Sequence, residues 1–99
     1  MRKRKTTAAK TPACWQPTGE LTIYTAADSK ANLMSMLHDC ENIDIDLSQI
    51  DTLDSAGVQI LLMAKREAEA CNKQLKLKQL SDSARDTITV LNLSQALDI

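Results

Sequence analysis

The chain has 99 residues, of which 43% are hydrophobic and 2% aromatic, and its formal net charge is −1. This length supports one compact domain with one core and leaves little room for a deep, enclosed active site. Trp15 and Tyr24 are the only aromatic residues. We therefore expect a core of Leu, Ile, Val, Met and Ala, and no aromatic platform on which bases or sugars could stack.

The near-zero net charge hides an uneven distribution. Five of the twelve basic residues and none of the thirteen acidic residues lie in the first ten positions. We predict a basic disordered tail over residues 1–12 and one acidic domain over residues 13–99. Contact of the tail with nucleic acid, anionic lipid or an acidic partner is the alternative, and we expect no direct nucleic-acid role for the domain itself.

Targeting signals and cysteine usage indicate the compartment. No apolar run follows the basic start, as a secretory signal would require, and no segment approaches the ~20 apolar residues that span a membrane. Cys14, Cys40 and Cys71 form no C-x-x-C pair, and an odd number does not suit a disulfide framework. We expect a cytoplasmic protein with reduced thiols and no membrane insertion, with Cys71 in its core.

The first half of the chain predicts two strands and a helix. Pro17 and Gly19 mark a turn between two short apolar pieces, which predicts a hairpin whose clearer arm covers residues 21–24. Thr25 and Asp28 have the spacing of a capping box and predict a helix that runs to Cys40. Helical spacing places these residues on its inner face: Ala27, Ala31, Met34, Leu37 and His38.

The second half predicts alternating strands and helices. Residues 42–47 and 74–80 alternate between apolar and polar side chains, as strands do. A helix from Ser55 to about Cys71 separates them, and Ser83 is predicted to cap a last helix with Ile88 and Leu91 inside and a left-handed end at Asn92. This order predicts an α/β fold: a mixed, largely parallel sheet of four to five strands with helices mainly on one face.

The segment from Ile45 to Val58 carries the functional signal. A strand ends near Leu47, a short loop follows, and a helix opens at Asp54 or Ser55, which is the edge where partners dock on open α/β sheets. Ser55 can serve simply as a helix cap, which requires no function. Gly57 costs about 0.5–1 kcal/mol relative to Ala in a helix, and we expect the close approach of another backbone to explain it.

Catalytic and metal-binding interpretations find little support. Asp46, Asp51 and Asp54 are predicted to be solvated loop acids; a metal cluster or the phospho-acceptor pocket of a receiver domain is the alternative, but residues 24–28 lack the paired acids that a receiver needs. The chain has no G-x-S-x-G motif and no Gly-rich phosphate loop, and His38 has no triad partner. We predict a protein that is not an enzyme and uses no metal or cofactor.

Three segments resemble a known family. Residues 19–27 resemble the opening hairpin and helix start of STAS domains, the sulphate-transporter and anti-sigma-factor-antagonist family. Asp46-Leu47-Ser48, followed by Asp54-Ser55-Ala56-Gly57-Val58, is similar to its central motif, and Leu91-Asn92-Leu93 resembles its closing helix turn. The resemblance covers about residues 13–99. Ala56 departs from it, because many members have a second Ser or Thr there.

The resemblance implies a STAS-like fold and an anti-sigma-factor-antagonist-like binding module. In such proteins a partner anti-sigma factor, acting as a serine kinase, phosphorylates the Ser that follows the Asp, and phosphorylation abolishes binding; here that residue is Ser55. The implied partner surface consists of Asp46, Asp51, Asp54, Ser55, Ala56, Gly57 and Val58. The alternatives are a non-phosphorylated structural subunit of an ABC-type membrane transport complex and an accessory protein of a chemosensory array.

The charges around Ser55 predict the direction of the switch. No basic residue lies between Glu41 and Met63 to clamp a phosphate, and the three nearby acids oppose its charge. We predict that the phosphate repels a partner and does not order the domain.

Overall fold

A computed structural model describes residues 13–99, and the predicted basic tail at residues 1–12 lies outside the described residues. Five strands are present: β1 (Ala13–Trp15), β2 (Gly19–Leu21), β3 (Asn42–Leu47), β4 (Ile50–Leu53) and β5 (Gln74–Leu80). Three helices lie among them: α1 (Ala26–Asp39), α2 (Ser55–Ala70) and α3 (Asp82–Val90). The α/β fold class is confirmed, and β3, α2 and β5 lie where their apolar patterns predicted them.

The strands form two parallel sheets. β3 lies between β1 and β5 in the first, and β2 pairs with β4 in the second. The predicted hairpin is wrong, because the chain from β1 to β2 runs alongside the chain from β3 to β4, and each early strand pairs in parallel with a different later one. No antiparallel pair occurs within residues 13–99. β4 itself occupies the segment that was predicted to be a short loop.

The core lies on one face of β3. Ile43, Ile45 and Leu47 are buried there, whereas Asp44 and Asp46 on the opposite face are half-buried. The expected aliphatic core is confirmed, with Trp15 packed only at its margin. The buried hydrophobic residues are Leu21, Leu33, Leu37, Ile43, Ile45, Leu47, Ile50, Leu53, Val58, Ile60, Leu61, Ala64, Ala68, Leu75, Ala84, Ile88 and Leu97.

The predicted inner face of α1 is only partly correct, and its predicted cap is wrong. Leu37 is buried and Met34 packs against the core as predicted, but Ala27, Ala31 and His38 are exposed. The residues that the helix buries are Ser29, Leu33 and Leu37. Thr25 precedes the helix, but its side chain caps no helical amide. The Thr25 hydroxyl instead accepts a hydrogen bond from the Thr22 amide at 3.0 Å, so the preceding turn uses the group that a capping box would need.

The ends of α2 and α3 also differ from expectation. α2 stops at Ala70, so Cys71 lies beyond the last helical residue and is exposed, contrary to its predicted place in the core. Ser81, not Ser83, caps α3, because its side chain accepts from the Ala84 amide at 3.1 Å. The left-handed Asn92 is confirmed, with a φ of 61°.

Candidate functional site

The start of α2 is capped by Asp54. Its Oδ1 accepts a hydrogen bond from the Gly57 amide at 2.9 Å, which satisfies one of the free amides of the first turn. Ser55 is the first residue of the helix, and its side chain is exposed and makes no hydrogen bond with any described residue. The interpretation of Ser55 as the cap is therefore wrong, and its hydroxyl is left free for another role.

The same carboxylate holds a distant loop against the helix. Asp54 Oδ2 accepts from the Ile23 amide at 3.0 Å, across 31 positions of sequence. The hydrogen bonds from the Gly57 and Ile23 amides lower the pKa of Asp54 below its ordinary value. Asp54 is thus ionised at neutral pH and fixes residues 22–25 beside Ser55.

Gly57 is explained by the packing of β2 on α2. A Cβ atom at this position would lie 2.1 Å from the carbonyl oxygen of Leu21 and 2.8 Å from Leu53 Cδ1. The predicted close approach of another backbone is confirmed, and that backbone belongs to the chain's own β2. Gly57 therefore serves the internal packing that brings the loop after β2 to the helix start.

A shallow groove beside Ser55 connects α2 with α3. Five residues line this Ser55 groove, whose volume is about 240 Å³: Ser55, Asp86, Thr87, Val90 and Leu91. Val90 is 82% exposed although it is apolar, and Leu91 is 38% exposed. The groove contains a carboxylate, Asp86, and no basic residue.

Two further apolar side chains project from the loop that Asp54 holds. Ile23 is 66% exposed and Tyr24 is 90% exposed. Thr22 and Thr25 close the loop from within, since the Thr25 amide donates to the Thr22 carbonyl at 3.0 Å and the Tyr24 amide donates to the Thr22 hydroxyl at 3.2 Å. Four of the five large exposed hydrophobic residues of the described chain thus lie near Ser55; we call Ile23, Tyr24, Val90 and Leu91 the apolar rim.

Comparison with known proteins identifies the family to which this architecture belongs. A family model described as "Mlab, STAS domain" matches residues 16–98. The chain belongs to the STAS domain family. Its structure is similar to that of the anti-sigma factor antagonist SpoIIAA in its unphosphorylated form, with a TM-score of 0.71 and 21% sequence identity over 86% of this chain and 77% of that one. At this identity the likeness shows the fold. A search of curated proteins found no match.

The predicted partner residues differ in how deeply they are buried in the STAS domain. Ser55 is exposed, and Asp54 and Ala56 are half-buried at the helix start. Gly57 and Val58 are buried, and Val58 is 0% exposed, so these two support the surface from within and offer it no side chain.

The two remaining predicted residues are separate from the groove lining. Asp51 is exposed on β4. Asp46 is the penultimate residue of β3, and its Oδ1 accepts a hydrogen bond from the Ser48 amide at 2.9 Å while its Oδ2 accepts one from Gln16 Nε2 at 3.1 Å. Hydrogen bonds from the side chain and then the backbone of Ser48 lower the pKa of Asp46. Asp46 therefore shapes the turn that leads into β4.

The apolar rim and Asp86 were missed by sequence reasoning. Ile23 and Tyr24 were assigned to a strand, and Leu91 to the inner face of the last helix. One signal was available: Ala84 and Ile88 define the inner face of α3, and Val90 lies two positions beyond Ile88, about 200° around the helix. Its apolar side chain had to point to solvent.

Other predicted absences remain predictions. Among residues 13–99 there is no group of three potential metal ligands, and no helix there is long and apolar enough to cross a bilayer. The expectations of a cytoplasmic protein without cofactor or catalytic activity stay predictions.

Asp54→Asn should destabilise the domain at pH 7 by about 1 kcal/mol, because an amide group cannot accept both backbone hydrogen bonds. A carboxylate whose pKa is lowered in the folded state stabilises it above the unfolded pKa, and that stability is lost as the pH falls through the folded pKa. The difference between wild type and variant should therefore shrink in acid. Urea unfolding of both proteins from pH 7 to pH 3 measures this difference in the free energy of unfolding, and Asp51→Asn, at an exposed position, is the control. A difference that stays constant with pH would contradict the role of the ionised Asp54 carboxylate.

Proposed function

We propose that this STAS domain is an anti-sigma-factor-antagonist-like binding module, switched by phosphorylation of Ser55. The observation that carries the proposal is the exposed Ser55 hydroxyl, which makes no hydrogen bond to a described residue and lies beside the apolar rim. A kinase must reach the hydroxyl, and a binding partner needs apolar surface to bury. This part of the domain offers both.

The charges supply the direction of the switch. A phosphate adds about −1.5 to −2 charges. The N-terminus of α2 favours an anion by roughly 0.3–1 kcal/mol, but Asp54 already occupies the Gly57 amide there. Asp54 and Asp86 oppose a second anion, and the Ser55 groove holds no Arg or Lys to pair with it.

Partner release follows from this imbalance. A partner that covers the apolar rim would remove water from Ser55. Burying an unpaired phosphate costs several kcal/mol, because nothing in the groove replaces its hydration. The unphosphorylated form is therefore the binding form, and the phosphorylated form is the released one.

The proposed partner is a serine kinase of the anti-sigma-factor class or a related signalling protein. The structurally similar SpoIIAA is named as an anti-sigma factor antagonist and was determined in an unphosphorylated form. That description supports the same kind of partner here. The competing function is the structural subunit of an ABC-type transport complex, in which Ser55 would carry no phosphate.

Intact-mass analysis of the protein isolated from its native cells separates the two functions. We expect a fraction of the wild-type protein to carry the mass of one phosphate, and Ser55→Ala to lack it. Ser83→Ala removes another exposed helical hydroxyl and should leave the phosphate in place. Unmodified Ser55 together with constant co-purification of a permease and an ATPase would overturn the switch in favour of the transport subunit.

A further inference from the structure

β5 is an edge strand with a groove along its free side. Among the described residues β5 pairs with β3 alone. A groove of about 420 Å³, here called the β5 groove, is lined by residues 73–78, by α2 and by Leu97 and Asp98. Edge strands present a row of backbone N–H and C=O groups without partners. Because the Gln74 amide donates toward the β3 side, to Glu41 O at 3.0 Å, alternation turns the backbone groups of Leu75 and Leu77 to the outer side.

The β5 groove is basic although the domain is acidic. Residues 13–99 contain seven basic and thirteen acidic residues. Four of those seven line this one groove: Lys65, Lys73, Lys76 and Lys78. Glu69 and Asp98 are its only acids among the described residues, so positive charge is in excess.

Two of the four lysines already have partners. Lys65 Nζ lies 2.8 Å from Asp98 Oδ2 and 4.0 Å from Glu69 Oε2. Lys73 donates to the carbonyl oxygens of Leu37 and His38 at the end of α1. Lys76 and Lys78 are exposed and form no ion pair with any described residue. They supply the free charge of the groove.

The pattern of β5 specifies the strand that would complement it. β5 contains the alternating sequence Leu75-Lys76-Leu77-Lys78. On its inner side β3 already has the complementary pattern, with Ile43 opposite Leu75, Asp44 opposite Lys76 and Ile45 opposite Leu77. Since successive side chains point to opposite faces, the outer edge presents the same alternation. A second strand with alternating apolar and acidic residues would place its apolar side chains near Leu75 and Leu97. Its acidic side chains would then lie near Lys76 and Lys78.

We propose that the β5 groove is a second docking site, which takes an extended partner segment of alternating apolar and acidic residues as an added strand. Main-chain hydrogen bonds supply affinity in this mode, and side-chain alternation supplies register. The basic segment at residues 1–12 has the wrong charge to fill the groove.

The site is separate from the Ser55 groove. The two share no lining residue, and Lys65 lies ten positions after Ser55 on α2, about 15 Å along the helix axis. Binding at β5 should not respond to the charge at residue 55. A STAS domain with both surfaces can hold two partners at once.

A labelled peptide with the chain's own residues 41–48, which carry the complementary pattern, tests the proposal by fluorescence anisotropy with the full-length protein. We expect saturable binding that weakens with salt. Lys76→Gln combined with Lys78→Gln should weaken it about tenfold, since two cross-strand charge pairs are lost. Lys30→Gln combined with Arg85→Gln removes the same charge from exposed positions on α1 and α3 and should leave binding unchanged.

Two peptide variants and one protein variant complete the test. N-methylation of alternate peptide amides blocks strand addition and should abolish binding, and replacing both aspartates of the peptide with asparagine should weaken it. Ser55→Asp should bind the peptide as wild type does, so that a failed phosphorylation switch and a failed β5 site give different results. The proposal is overturned by absence of binding to wild type, by equal binding of the N-methylated peptide, or by equal losses in both double variants.

Discussion

Gly57→Ala should lower the free energy of unfolding by at least about 3 kcal/mol and the melting temperature by roughly 12–24 °C. The added Cβ would lie 2.1 Å from the Leu21 carbonyl oxygen, and because this atom belongs to a strand backbone, relief requires β2 to move away from α2. The higher helix propensity of Ala offsets at most about 1 kcal/mol of this destabilisation. Thermal and urea unfolding followed by circular dichroism measure the loss.

Gly19→Ala is the matched control, because the chain has two glycines and only one is crowded. Gly19 has a φ of +83° and no atom within 4 Å of an added Cβ. Its substitution should cost only the strain of the left-handed backbone, about 1 kcal/mol. If both variants melt at similar temperatures, the close packing of β2 on α2 is not what selects Gly57.

Ser55→Asp should fold like wild type and bind the partner kinase about a hundredfold more weakly. The side chain is exposed and forms no hydrogen bond with a described residue, so the fold does not depend on it. An added carboxylate beside Asp54 and Asp86 would be buried without a counter-charge in the complex, at about 3 kcal/mol or more. Ser55→Ala should bind nearly as well as wild type.

The affinities can be measured by calorimetry with the kinase that co-purifies from native cells. Ser35→Asp makes the same substitution at an exposed position of α1 and should leave binding intact. Val90→Ser removes one side chain of the apolar rim and should weaken binding. It should cause no loss of stability, because Val90 is 82% exposed. Wild-type affinity of Ser55→Asp would refute the repulsive switch while leaving the family assignment in place.

Local patterns predicted the elements that bury one regular face. β3 alternates Ile43, Ile45 and Leu47 with polar residues, and a strand packed on one side needs this period. α2 combines a capping Asp54 with a stripe of buried residues at helical spacing. Such segments are predictable because burial imposes the same periodicity that the backbone has.

Elements with irregular burial were missed. β4 buries only Ile50 and Leu53, at its two ends, and a spacing of three does not read as a strand. In α1 the buried Ser29 and Leu33 define the inner face, while the exposed Ala27 and Ala31 suggested another one. Alanine is compatible with both surfaces, so it is a poor guide to the direction of a helix.

The functional site likewise has one part that the sequence predicts and one part that it does not. Asp54 and Ser55 were found because a strand-to-helix junction with a cap and a glycine has a recognisable order. The apolar rim was not found, because its two halves come from a loop at residues 22–25 and from the end of α3. Two long-range contacts show that the first half belongs to the site: the hydrogen bond between the Ile23 amide and Asp54, 31 positions apart, and the packing of Leu21 against Gly57.

The amino-acid sequence by itself determined the α/β class, the family resemblance, the junction at Ser55 and the glycine that a close approach requires. These features depend on neighbouring residues, whose spacing is set by backbone geometry. The tertiary structure decided that β1 and β2 pair in parallel with β3 and β4, that Asp54 rather than Ser55 caps α2, and that exposed apolar side chains gather near the free hydroxyl. Those facts depend on contacts between distant segments, and many pairings of the same short strands satisfy the local pattern equally well.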